Sequence, residues 1–131
     1  MRKQGRGSIV NISSLAVLEA YPYVGYKTMK TAIIALTQNL ASAHADAGIR
    51  VNTILPGLMN TPMAIEARVA QGTPRAEVVA MRNARVPLGQ RMGTAWDVAY
   101  AALFLHSDEA QFISGVWLPV DGAAWASQGK Y

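Results

Sequence analysis

GSIVNISSLAVLEAYPYVGYKTMKTAIIALTQNLASAHADAGIRVNTILPG, residues 7–57, reads as one strand–helix–strand unit. Ser8 to Ser13 is short, rich in Ile and Val, and preceded by a turn signal, so a buried strand is predicted there. Leu15 to Gly25 carries Pro22 and closely spaced tyrosines, which reads as a loop. From Tyr26 to Ala47, Ile33, Leu36, Leu40 and Ala43 recur at helical spacing, with Gly48 available as a C-terminal cap. Ile49 to Leu55 is a second strand, stopped by Pro56-Gly57. Two strands joined by a helix in this way are parallel, the unit from which open α/β sheets are built.

The remaining chain continues the alternation. Thr61-Pro62 and Thr73-Pro74 each offer a hydroxyl cap followed by proline in the first turn, predicting helices over 62–70 and 74–83. Gly89 to Gly93 reads as a turn, and Thr94-Ala-Trp-Asp97 as a capping box opening a helix to about His106. Val116 to Val120 is the last predicted strand, with Asp121-Gly122 turning the chain away. The tail from Ala123 to Tyr131 is expected to be loosely held. With no repeat and no linker, residues 1–131 form a single unit.

The chemistry centres on Tyr26-Lys-Thr-Met-Lys30. A tyrosine and a lysine four apart share a helix face. A phenol is a poor base near neutrality, but an ammonium roughly 5 Å away at an effective dielectric near 20 stabilises phenolate by on the order of 3 kcal/mol. Tyr26 is thereby a candidate proton donor and acceptor. Ser13 and Ser14 close the first strand ahead of it, and Asn52, Pro56-Gly57 and Thr61 follow.

Taken in order, Ser14, Tyr26 and Lys30, Asn52, Pro56-Gly57 with Thr61, and Val120-Asp-Gly122 resemble the short-chain dehydrogenase/reductase family from about Gly7 to Gly122. The resemblance implies an α/β fold, a partial Rossmann-type doubly wound parallel sheet of about three strands. It also implies hydride transfer between NAD(H) or NADP(H) and a carbonyl or secondary alcohol. By this likeness Tyr26 moves the proton and also counts among the cofactor-binding residues, and Lys30 tunes it and holds the nicotinamide ribose. Ser14 orients the substrate oxygen, and Pro56, Gly57 and Thr61 contact the nicotinamide carboxamide. Anchoring on the strand end selects Ser14, whereas counting back from Tyr26 by the family's usual spacing selects Ser13. Asn52 is expected to brace backbone. Met59, Met63, Met81 and Met92 lie where the family has a substrate flap, and Leu18, Glu19, Tyr21 and Tyr23 are candidate pocket walls.

The chain departs from the family in several places, and the family's central Asn-Ala-Gly segment and the asparagine that completes its catalytic set are among the parts it lacks. The TGxxxGxG turn that holds the cofactor pyrophosphate has no counterpart, because Gly5 and Gly7 precede the first predicted strand. The N-terminal glycine-rich half is thus absent, the expectation is of a C-terminal half forming one partial domain, and Met1 is expected to be internal to a longer frame. The last turn also reads Val120-Asp-Gly-Ala123, where the family often ends in two glycines. The alternative to an oxidoreductase is a truncated, non-catalytic or partner-dependent module that binds no cofactor by itself. The first strand would then have an open edge prone to pairing.

Composition narrows the class. An apolar content of 51% provides for a core, and zero cysteines exclude disulfides and thiolate metal sites. No apolar run reaches the length of a membrane span, and no secretory signal follows the basic Met1 to Arg6 stretch, so a cytoplasmic protein is expected. The net charge of +4 is scattered, with clusters at Arg2, Lys3 and Arg6 and at Arg82, Arg85 and Arg91, and aromatics do not interleave with it. Neither nucleic acid nor membrane is expected as a partner. A small-molecule substrate and homo-oligomerisation of the full-length form are. His44 and His106 have no partners at ligand spacing, so no metal is expected.

Overall fold

In the computed structural model, which describes residues 1–128, three parallel strands form one sheet in the order β1 (Gly7–Ile12), β2 (Ile49–Pro56), β3 (Trp117–Val120). Helix α1 (Val24–His44) crosses from β1 to β2. Helices α2 (Pro62–Val69), α3 (Arg75–Asn83) and α4 (Ala95–His106) lie between β2 and β3. This is an α/β, Rossmann-type arrangement with helices on both faces.

β2 is central and buried on both faces, with Val51, Ile54 and Leu55 fully inaccessible. Each such side chain stabilises the fold by roughly 1.5–3 kcal/mol. The alternation of the pleat sorts its neighbours. Val51 packs with Ile49 and Ala41 under α1, with Ile9 and Leu40 beside them. On the same face Asn11 Nδ2 donates to Thr37 Oγ1 at 2.9 Å, and Thr53 Oγ1 lies 2.6 Å from that hydroxyl, a polar chain from β1 through α1 to β2. On the other face Arg50 reaches the end of α4, donating to the carbonyls of Leu105 and Ser107, while Ser8 also donates to Leu105. Arg50 therefore satisfies carbonyls that the helix itself leaves open. Buried Asn52 donates to the Ile113 carbonyl at 2.9 Å and accepts from the Val116 N–H at 3.2 Å, so it braces the backbone leading into β3.

Element boundaries differ from expectation for local reasons. α1 begins two residues before Tyr26 because the Tyr23 carbonyl accepts the Lys27 N–H. It ends at His44, and Gly48 closes the following turn at φ 66°. The Thr61 hydroxyl caps nothing; its carbonyl accepts from Ala64 and Ile65 instead. Pro74, not Thr73, occupies the cap position of α3. α4 opens as expected, with the Asp97 carboxylate accepting from both the N–H and the hydroxyl of Thr94.

α2 and α3 pack on each other through Ile65, Val78 and Met92, a small core of their own, with Arg75 paired to Glu66 at its surface. Ala123 to Gln128 are not loose. Asp121 accepts from the N–H groups of Ala123 and Trp125, the Trp125 ring meets Trp117 edge-on, and Gln128 donates to Glu19 at 2.8 Å. The expectation for 129–131 lies outside the described residues. Among the described residues no helix is long and apolar enough to cross a membrane.

Candidate active site

The parallel strands end together, and ligands in open α/β sheets lie beyond the carboxyl ends of strands. There Ser13-Ser14 leaves β1, Pro56-Gly57 leaves β2 and Asp121 leaves β3. A cavity of about 1090 Å³ opens at this end, and Ser14, Tyr26, Lys30, Pro56, Gly57 and Thr61 all line it. Six positions spread over 48 positions of sequence are brought to one wall system by the crossover of α1 and the end of β2.

Tyr26 and Lys30 sit on the first turns of α1. The Lys30 ammonium lies 5.8 Å from the centre of the Tyr26 ring and donates to the Ile12 carbonyl at 3.1 Å. It is thus held between β1 and the phenol. Tyr21 packs against both Tyr23 and Tyr26, with ring centres 5.6 and 5.7 Å apart, making an aromatic wall on the loop side. Lys27 donates to the Glu19 carbonyl and so ties that loop to α1.

The two serines are in different states. Ser13 is buried and its hydroxyl donates to the Lys30 carbonyl at 2.7 Å. Ser14 accepts the Ala16 N–H at 3.2 Å, capping a 3-10 turn over Leu15–Val17. Accepting leaves the Ser14 O–H proton uncommitted on the cavity side.

Gly57 is there for room. A Cβ at this position would lie 2.7 Å from Asp121 Cβ and 2.8 Å from its Cα, so only glycine lets the ends of β2 and β3 close. Of the expected flap methionines, Met59 and Met63 line the cavity; Met92 is buried between α2 and α3, and Met81 is half-exposed and does not line it. Tyr21, Tyr23 and Glu19 line it, and Leu18 does not.

Arg82 and Arg85, expected only as solvated basic surface with some attraction for an anionic cofactor, line the cavity together with Arg68, to which no role was assigned. Arg82 is held below the ordinary range of a guanidinium, first by burial and then by the charges of Arg68 and Arg85, with Tyr21 acting the other way. Arg82 and Arg85 stand out in the sequence as a basic cluster, but Arg68 comes from a different helix, and only the packing of α2 on α3 unites them.

A nicotinamide group fits these residues in kind. A phenol, an ammonium and two hydroxyls around a cavity of this size suit a ribose and a carboxamide, and sites for ligands of that scale run to roughly 300–1,000 Å³. Nothing in the 131 residues matches the glycine-rich turn for a pyrophosphate.

Comparison with known proteins gives the same family. A family model described as Enoyl-(Acyl carrier protein) reductase matches residues 1–123. A curated 2,5-dichloro-2,5-cyclohexadiene-1,4-diol dehydrogenase, LinX of Sphingobium indicum, is 43% identical over 123 residues, which cover 92% of this chain and 45% of the relative. A solved oxidoreductase of the short-chain dehydrogenase/reductase family from Burkholderia thailandensis superposes with a TM-score of 0.87 at 38% identity, over 96% of this chain and 48% of that one. ElxO, solved with NADP bound, gives 0.83 at 33% identity, over 96% and 49%. The chain belongs to the short-chain dehydrogenase/reductase family. It spans about half the length of the curated relatives it matches.

Proposed function

We propose that the chain carries the proton-transfer half of an NAD(P)-dependent oxidoreductase acting on a small carbonyl or secondary alcohol. The observation that carries this reading is the convergence of Ser14, Tyr26 and Lys30 on one cavity with Pro56, Gly57 and Thr61. In the reducing direction the Tyr26 phenol gives its proton to the substrate oxygen; in the oxidising direction the phenolate takes it back. Lys30 holds positive charge against the ring while the oxygen is deprotonated. The Ser14 O–H donates to the substrate oxygen and stabilises the charge that gathers there. Ser13 is a weaker candidate for that role, because its proton is already given to the Lys30 carbonyl. Thr61 and the Pro56-Gly57 turn would hold the nicotinamide carboxamide, and Lys30 the adjoining ribose. A bound nicotinamide supplies or accepts the hydride. The solved relative with NADP supports a nicotinamide cofactor, and either NAD(H) or NADP(H) is compatible with the residues of this chain.

A homo-oligomer of the full-length form and a cytoplasmic setting complete the proposal. Exposed Val24, Met29 and Leu36 on α1, and Trp96, Tyr100 and Leu103 on α4, are apolar surface of the kind that copies of a chain bury against each other. A second reading, a module that acts only with a strand-supplying partner, is favoured by β1, which among the described residues pairs on one side only. One experiment separates the two: NADH and NADPH oxidation by the purified chain with a panel of small ketones. Ketone-dependent oxidation supports the oxidoreductase. No oxidation and no cofactor binding, in a folded protein, supports the partner-dependent module.

A further inference from the structure

Arg68 sits in the last turn of α2, Arg82 in the last turn of α3, and Arg85 just beyond it. Basic residues near helix C-termini are common, because they complement the helix dipole. That explains their presence in the sequence but not their convergence on one cavity. Arg82 is half-buried, and its contacts are the sulfur of Met92 at 3.2 Å and the carbonyl of Met59 at 3.5 Å, both uncharged. Among the described residues none of the three arginines has a carboxylate within ion-pair distance; the ion pair there is Arg75–Glu66. Glu19 lines the same cavity, and one of its oxygens accepts from the Gln128 amide. Like charges gathered without a counter-charge are unfavourable, and the repulsion is removed when an anion enters.

We infer that Arg68, Arg82 and Arg85 form an oxyanion-receiving wall of the cavity that also holds Ser14 and Tyr26. Guanidinium groups present planar, fixed donors that match carboxylate, sulfonate or phosphate oxygens. The oxyanion belongs either to the substrate, as a second group beside the reacting carbonyl, or to the cofactor, as its pyrophosphate. The first source rests on the carbonyl-reducing function proposed above; the wall itself does not.

The test is binding to the purified chain at low ionic strength, followed by calorimetry, with three probes. They are acetoacetate, its neutral methyl ester and inorganic pyrophosphate. The expected result is acetoacetate binding about tenfold tighter than the ester, the scale of one charge-assisted contact. Arg82→Gln should cut that preference below about threefold, and so should the double variant Arg68→Gln/Arg85→Gln, whose exposed positions leave the fold intact if Arg82→Gln does not. Tyr26→Phe should leave the preference unchanged, so a failure of the proton-transfer assignment is read separately. Arginine-dependent binding of pyrophosphate without acetoacetate preference supports the wall and assigns it to the cofactor. Equal binding of acid and ester, with pyrophosphate indifferent to the arginine substitutions, overturns the inference.

Discussion

The hydroxyl of Ser13 donates to the carbonyl of Lys30 at 2.7 Å, and the Lys30 ammonium in turn donates to the carbonyl of Ile12 at 3.1 Å. The end of β1 and the second turn of α1 are thereby fastened together at the point where the candidate proton-transfer residues stand. Ser13 is the fastener, and Ser14 is the serine whose proton is free. Ser13→Ala is expected to lower stability by about 1 kcal/mol, the value of one internal hydrogen bond, with a small effect on turnover. Ser14→Ala is expected to slow turnover by on the order of 10²-fold, with a smaller change in melting temperature. Thermal melts and steady-state rates of the two variants, measured side by side, check the assignment.

Glycine is tolerated at one site and required at another. Gly57→Ala drives a methyl into Asp121 and is expected to destabilise by roughly 1–3 kcal/mol, as overpacking does. Gly25, in the first turn of α1, has nothing within 4 Å of an added Cβ. Gly25→Ala is therefore expected to stabilise by roughly 0.5–1 kcal/mol. Denaturant midpoints of the two variants should move in opposite directions.

The last turn contains a strained residue. Ala123 sits at φ 66°, a left-handed conformation that costs an L-residue roughly 1–2 kcal/mol. Ala123→Gly relieves that strain at the cost of greater freedom in the unfolded chain, so a net gain of about 0.5–1 kcal/mol is expected. A higher melting temperature checks it.

Asp97 gives the pH dependence. Hydrogen bonds first from the Thr94 N–H and then from its hydroxyl hold the carboxyl below its ordinary value of 3.8. A depressed folded-state value means the stabilisation is fully present above the unfolded value and is lost as pH falls through the folded one. The difference in melting temperature between the native chain and Asp97→Asn should thus be constant above about pH 5 and shrink below about pH 4.

Much of this was legible in residues 7–57. A strand of Ile and Val, a helix with apolar residues three and four apart, and a second apolar run stopped by Pro56-Gly57 have few other arrangements. The acidic member of the capping box at Thr94 was legible because its spacing is local. Caps at Thr61 and Thr73 were not, because backbone carbonyl and proline geometry took over what the hydroxyls offered. The chain Asn11–Thr37–Thr53 escaped because each residue reads as a polar interruption until the sheet and α1 are packed. Arg50, inside the second strand's run, is a clamp on the end of α4, a role that needs the packed sheet to be seen. The convergence of Arg68 with Arg82 and Arg85 was invisible for a related reason: it depends on how two helices pack, which no spacing within either one encodes.

The role proposed for Tyr26 is proton transfer. It is tested most directly by Tyr26→Phe, with nicotinamide cofactor titration and carbonyl turnover measured on the same preparation as the native protein. Cofactor affinity is expected within a few-fold of native and turnover reduced by at least about 10²-fold. Turnover retained within a few-fold, with affinity unchanged, would contradict it.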